Sequence, residues 1–458
     1  MKYALVSRQH SRRLIIMFAG WGMDESPFSE LSLAGYDIAV VWDYSDEDLH
    51  VPFWDNYDEI CVLAWSYGVY FAGRFISEHP GLPITARVAV NGTMHPVHDR
   101  FGIPPVMYKA TLNALSAAAV KKFYRRMCGG AAAFESFRRK IPQRTVESLT
   151  AELDAIGTKY VEDGAPQCDW DTAFVCDSDL IFPPGAQKAA WQGRAEIIEL
   201  PGAHLPDFQR LLRRAFILKD GVSDAFTRSL LTYNENAPAQ LAVANHLAVL
   251  IAEKAPLHGN VIEIGCGSGF LTQKIVPLLA PDAALTLIDV SPIDASLPGK
   301  HIHADAEIEV MKLGDCSVSA ILSSSAVQWF NSPATFLREA GRILCPGGLL
   351  AIAVYSDSTF AQIPGHESPS RTFTLQSLKN IVPREFEVTV CEEEEYVQQF
   401  ESPRELLRHF RLTGVAPANN SPVASVVARK IISGNVTALS YNPIFLLLTK
   451  KKYCNFVD

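Results

Sequence analysis

Short uninterrupted apolar runs, each bounded by glycine, aspartate or asparagine, recur through the first half of the chain: 14–19 (LIIMFA), 37–42 (DIAVVW), 59–65 (EICVLAW), 172–176 (TAFVC) and 195–199 (AEIIE). Runs of this length, apolar on both faces, predict buried parallel strands alternating with helices. Residues 111–140 interrupt that rhythm; they are helix-prone and basic, carrying Lys121, Lys122, Arg125, Arg126, Arg138, Arg139 and Lys140. A second series starts near Pro238 and runs through 260–264 (NVIEI), 285–289 (LTLID), 319–323 (SAILS) and 348–354 (GLLAIAV). Two such series predict two doubly wound α/β domains, 1–218 and 228–458. The stretch 219–227 opens with KDGVS, charged and glycine-containing, and is the expected linker.

The 458 residues suffice for two cores, and 48% hydrophobic with 20% charged residues is a globular balance. No run approaches the ~20 apolar residues of a membrane span. Arg8, Arg12 and Arg13 stand where a secretory signal has its apolar region, so a cytoplasmic protein is expected. The nine cysteines include no CxxC, which points to reduced thiols with no metal knuckle. A net charge of −9 disfavours a general nucleic-acid binder.

The apolar run 59–65 leads straight into Ser66-Tyr67-Gly68, with Ala64 where a G-x-S-x-G nucleophile elbow has its first glycine. Small residues flank such a serine because strand and helix pass close together there. Phe18-Ala19-Gly20-Trp21-Gly22 ends an early strand, where this arrangement places a loop whose N–H joins that of the residue after the serine in an oxyanion hole: here Trp21 with Tyr67. VCDSDLIFP supplies Asp179 after a late strand, and Gly202-Ala203-His204 follows the next, giving the order Ser, Asp, His. Asp177 competes for the acid role; the position of Asp179 relative to Pro183 favours it. The chemistry implied is serine ester hydrolysis on an α/β-hydrolase fold, residues 111–140 forming its helical lid insert.

In the second series, Glu263-Ile264-Gly265-Cys266-Gly267-Ser268-Gly269 sits between a strand and a helix. Its glycines let backbone approach a ligand, and the preceding acid favours a cationic portion, such as the amino acid part of S-adenosylmethionine (SAM), over a pyrophosphate. Asp289 ends the next strand, where a carboxylate accepts ribose hydroxyls, and Asp305 in ADAE is available to an adenine amine. RILCPGGLLAI is expected to make a hairpin-like turn. Together these predict a Rossmann-like class I SAM-dependent methyltransferase fold.

Residues 12–210 resemble the compact pimeloyl-[acyl-carrier protein] methyl ester esterases through FAGWGMDESPF, AWSYGVYFAGRF, AVNGTMHPVHDRFGIPP, FYRRMCGG and DLIFPPGAQKAAW. Residues 228–452 resemble the malonyl-[acyl-carrier protein] O-methyltransferases through TYNENAPAQ (Tyr233, Gln240), VIEIGCGSGFLT, SSSAVQWF (Gln328, Trp329), SPRELLRHFRLTGV and LSYNPIFLLLTKKK; Cys345 replaces the commoner lysine of RILKPGG. Tyr233 would cover the cofactor. The two resemblances imply two steps of biotin synthesis in one chain, with malonyl- and pimeloyl-loaded acyl carrier protein as partners. Carrier proteins are acidic as a class, so Arg125, Arg126, Arg138 and Arg139 are the expected docking residues, and Arg404, Arg408 and Arg411 secondary ones. Phe123, Phe134 and Phe137 would line an acyl pocket. The alternative is a methyltransferase of another small carboxylate or acyl substrate, with the first domain serving only to dock a carrier protein.

Overall fold

A computed structural model describes residues 1–46, 56–363, 368, 370–414 and 422–452. The chain divides into two compact units, Met1–Phe216 and Ile217–Asp458.

The first unit is built on a seven-stranded sheet of β1 (Lys2–Ser7), β2 (Arg13–Phe18), β3 (Asp37–Trp42), β4 (Glu59–Trp65), β5 (Ile84–Val90), β6 (Thr172–Cys176) and β7 (Glu196–Leu200), in the order β1-β3-β2-β4-β5-β6-β7. Only β1 runs antiparallel to its neighbour. Strands β3, β4 and β6 are wholly buried, which is why their sequences show no polar alternation. β1 and β5 were not anticipated: KYALVS is a half-exposed edge strand, and Arg87 interrupts ITARVAV. Helix α1 (Gly68–Glu78) follows β4. Between β5 and β6 the chain makes α2 (Pro105–Asn113), α3 (Ala117–Met127), α4 (Ala131–Phe137) and α5 (Val146–Asp163); α6 (Pro184–Trp191) and α7 (Phe208–Ala215) follow β6 and β7. Phe134 and Phe137, expected at an acyl pocket, are instead buried in a core cluster with Tyr124, Met127 and Leu211, while Phe123 packs edge-on against Trp21.

The second unit has the sheet order β10-β9-β8-β11-β12-β16-β13, from β8 (Asn260–Ile264), β9 (Ala284–Asp289), β10 (Lys300–His303), β11 (Val318–Ser324), β12 (Leu344–Tyr355), β13 (Phe386–Glu393) and β16 (Pro443–Lys450); β14 (Tyr396–Gln399) and β15 (Ala438–Tyr441) form a separate ribbon. Within the seven-stranded sheet β16 is antiparallel to β12 and β13 and the other pairings are parallel; the β14–β15 ribbon is antiparallel. RILCPGGLLAI makes no hairpin: β12 runs through it, the register shift opposite β11 and a positive φ at Gly347 absorbing the glycines.

The expected linker is also corrected. Residues 219–227 are the first half of helix α8 (Lys219–Asn236), which precedes α9 (Pro238–Ala252). Lys219 is buried, its Nζ 2.6 Å from Glu307 and 3.5 Å from Asp305 and above the Phe330 ring. Partners distant in sequence thus overrode the glycine and the local charge. Helix Pro403–Thr413 packs against α8, Thr232 Oγ1 donating to Leu412 O at 2.9 Å; this is where most of SPRELLRHFRLTGV acts, its final Val415 lying outside the described residues. No helix among the described residues is long and apolar enough to cross a membrane.

Candidate active sites

In the first unit, Ser66 leaves β4 with φ +58, a conformation rarely held by a residue with a side chain. Close packing forces it: a Cβ on Gly68 would stand 2.4 Å from Phe18 O, and one on Gly92 would stand 2.2 Å from Ser66 O. The turn lifts Ser66 Oγ to 2.9 Å from His204 Nε2, and His204 Nδ1 lies 2.8 Å from Asp179 Oδ2. All three side chains are buried. Asp179 Oδ1 accepts the N–H groups of Ile181 and Phe182, each at 2.8 Å, so the carboxylate is fixed by its own loop. Asp177 instead caps the histidine loop, accepting from Ser178 Oγ and Gly202 N, and it faces solvent.

Residues not singled out from sequence support this line of groups. Gln187 Nε2 donates to Asp179 Oδ2 at 3.1 Å. Trp65 Nε1 and Asn91 Nδ2 both donate to His204 O, while Asn91 Oδ1 accepts from Cys176 N. FYRRMCGG bridges two loops: Tyr124 OH donates to Gly22 O, Leu205 N donates to Met127 O, and Gly129 lies against Ala203. Gly20 brings the Trp21 loop to Ser66, since a Cβ there would be 3.1 Å from Ser66 Cβ. The amide N–H groups of Trp21 and Tyr67 donate to no acceptor among the described residues. Arg125, Arg126, Arg138 and Arg139 are exposed around α3 and α4, Arg125 above the Phe134 ring and Arg138 paired with Glu135.

In the second unit, a cavity opens at the ends of β8 and β9. Gly265, Gly267 and Gly269 all hold positive φ, and a Cβ on Gly265 would collide with Ala326 at 2.2 Å, so Gly265 accepts no bulkier residue. Glu263, Gly265, Gly267, Asp289, Asp305 and Tyr233 line the cavity, and Gly269 stands just behind it, a Cβ there meeting Leu297 at 2.5 Å. One face of α8 (Lys219, Val222, Phe226, Leu230, Tyr233) forms a wall. Asp289 accepts from Gly267 N at 2.8 Å and Ser291 N at 2.7 Å, leaving each oxygen further capacity to accept. Glu263 Oε2, Asp305 Oδ2 and Gln240 Oε1 are buried without a hydrogen-bond partner among the described residues. Three orphan acceptors around a glycine loop fit a ligand bearing an ammonium, an aromatic amine and hydroxyls, the donor set of SAM. Burial pushes the Glu263 carboxyl up to about 8, with Thr272 lowering it and Asp289 adding to the rise; burial also raises Asp289.

The model of the family described as "Pimeloyl-ACP methyl esterase BioG" matches residues 1–213, and that of a methyltransferase domain matches 262–352. A malonyl-[acyl-carrier protein] O-methyltransferase of Bacteroides fragilis is 32% identical, over 96% of this chain and 93% of the relative. One from Bacteroides thetaiotaomicron is 26% identical over 50% of this chain and 98% of its own length. The crystal structure of BioG from Haemophilus influenzae is 33% identical and covers 44% of this chain and 94% of that one, with a TM-score of 0.42.

Proposed function

Because this chain belongs to the malonyl-[acyl-carrier protein] O-methyltransferase family, with a pimeloyl-ACP methyl esterase domain preceding its methyltransferase domain, we propose that it catalyses two reactions: methylation of malonyl-carrier protein and hydrolysis of the pimeloyl-carrier methyl ester. S-adenosylmethionine is the methyl donor. The esterase half of this reading rests on one observation, the continuous Ser66–His204–Asp179 hydrogen-bond line.

On this reading the first unit is an α/β-hydrolase whose helices α2–α5 form a lid. Ser66 Oγ attacks the ester carbonyl as His204 Nε2 takes its proton, and the oxyanion settles on the N–H groups of Trp21 and Tyr67. His204 then gives the proton to the departing methoxide. Water, deprotonated by the same imidazole, releases the acid and restores the serine. Asp179 holds the imidazole tautomer throughout, and Gln187 holds Asp179.

In the second unit Asp289 would hold the ribose hydroxyls, Asp305 the adenine amine and Glu263 the ammonium, with Tyr233 and α8 excluding water. When bound, SAM supplies an electrophilic methyl carbon. An acceptor carboxylate is already ionised near neutral pH, so the protein needs to position it and desolvate the site rather than remove a proton. The Glu263 assignment has a consequence for pH. A carboxyl near 8 is mostly protonated at neutral pH, and a bound ammonium favours its ionised form, so binding expels a proton. SAM affinity should therefore rise with pH, at most about tenfold per unit, up to roughly pH 8, above which the ligand's own ammonium begins to lose its proton. Calorimetry in buffers of different ionisation enthalpy reads the proton directly; pH-independent binding would remove Glu263 from the ammonium site.

For the carrier protein we assign the exposed Arg125, Arg126, Arg138 and Arg139 as docking residues, with Arg404, Arg408 and Arg411 on the exposed side of helix Pro403–Thr413 as secondary ones. Glutamates at 125 and 126 should raise KM for a carrier-bound methyl ester about tenfold or more and leave hydrolysis of a small soluble ester unchanged. Equal losses on both substrates would make the pair structural.

A further inference from the structure

The loop that carries Trp21 is tied to the elements around it by several side-chain hydrogen bonds. Tyr44 OH donates to Ala19 O at 2.6 Å, Trp21 Nε1 to Leu149 O at 2.9 Å, and Tyr124 OH to Gly22 O at 2.8 Å. Arg144 Nη1 donates to Met23 O at 3.0 Å, and Gly22 N donates to Glu152 Oε2 at 3.2 Å. Glu152, on α5, is completely buried, and its second oxygen accepts Tyr44 N at 3.2 Å. Arg144 lies 3.2 Å from Glu152 and 3.1 Å from Asp43, and Lys2 lies 2.9 Å from Asp43.

A buried carboxylate is costly to keep where an apolar side chain would pack, and this one is spent on two backbone amides and one guanidinium. Both amides belong to turns that follow parallel strands, β2 and β3, so the carboxylate ties them together from α5. The Trp21 amide, between the fixed Ala19 carbonyl and the fixed Gly22 amide, has no acceptor among the described residues and directly follows Gly20, which packs against Ser66. We infer that Glu152, braced by Arg144, is a positioning residue for ester hydrolysis: it holds the peptide after Trp21 so that the Trp21 N–H is aimed at the developing oxyanion. The inference rests on the hydrolase reading above. Burial first, against the pull of Arg144 and the two amides, raises the Glu152 carboxyl to about 7, as expected of a group that gives up solvation to make these contacts.

Glu152→Gln keeps the shape but turns one accepting oxygen into a donor facing an N–H. Tyr124→Phe removes the single bond to Gly22 O and leaves every charge in place. The probe is an alkylboronic acid, which forms a tetrahedral anion on a reactive serine. Glu152→Gln should lower kcat for the pimeloyl-carrier methyl ester roughly 10- to 100-fold, with KM changed less than about threefold, and weaken boronate binding by the same factor as kcat. Tyr124→Phe should show the same proportionality at smaller size, and methyl transfer by both variants should equal wild type. An active wild type whose boronate affinity survives in both variants while kcat falls would overturn the inference alone. A wild-type chain that neither hydrolyses the ester nor binds boronate would overturn the hydrolase reading and this inference with it.

Discussion

Replacing Ser66 by alanine should lower ester hydrolysis by roughly four to six orders of magnitude, the loss seen when a nucleophile is removed from an intact triad. The change is small structurally. Among the described residues Ser66 Oγ bonds to His204 alone, and His204 keeps Asp179, so the imidazole stays oriented. Alanine meets the same backbone strain at φ +58 that serine does. What remains is the oxyanion hole and binding, so substrate should still saturate the protein at a similar concentration. Methyl transfer by Ser66→Ala should equal wild type, because every residue assigned to SAM lies in the other unit. Stopped assays with the carrier ester measure both rates on one preparation, and persisting hydrolysis would remove Ser66 from the mechanism.

The second large effect is expected at Asp289. Its carboxylate would accept both ribose hydroxyls while keeping Gly267 N and Ser291 N. Two hydrogen bonds to a charged acceptor are worth about 3 kcal/mol or more together, so Asp289→Ala should weaken SAM at least about 100-fold. Asp289→Asn separates the two roles: it retains one accepting oxygen and should fall between wild type and alanine. Titration calorimetry with S-adenosylhomocysteine gives the affinity without turnover. Ester hydrolysis should be untouched in both variants. Unchanged affinity in Asp289→Ala would exclude the ribose assignment.

Much of this was legible because the informative residues are local. Each strand with both faces buried announces itself as an apolar run, and a glycine loop after a strand carries its own steric reason, visible in the Gly265–Ala326 contact. The tight contact at Gly68 is legible in A-x-S-x-G, whereas the need for Gly92 beneath Ser66 is not, since it depends on two adjacent strands passing at one height. Asn91, Gln187 and Glu152 were missed for the same reason: their partners lie on other elements, and a lone amide or acid carries no spacing signal. Motif AVNGT held the clue, for asparagine at the end of an apolar strand next to glycine is unusual enough to ask what it bonds. Residues 219–227 failed as a linker because a lysine, an aspartate and a glycine read as surface until Asp305 and Glu307 are placed beside them. Phe134 and Phe137 were assigned to a pocket from composition alone, whereas helix phase turns them into the core.

That a single polypeptide adds the methyl group at one end of a pathway and removes it at the other is tested most directly by mass spectrometry of the carrier protein. The purified chain is incubated with SAM and malonyl-carrier protein, and separately with the pimeloyl-carrier methyl ester. The expected result is a carrier that gains one methyl ester in the first reaction and loses one in the second, the second reaction abolished in Ser66→Ala and the first in Asp289→Ala at limiting SAM. Methylation by a chain that leaves the pimeloyl ester intact would contradict it, and would leave the first unit as a docking domain for the carrier.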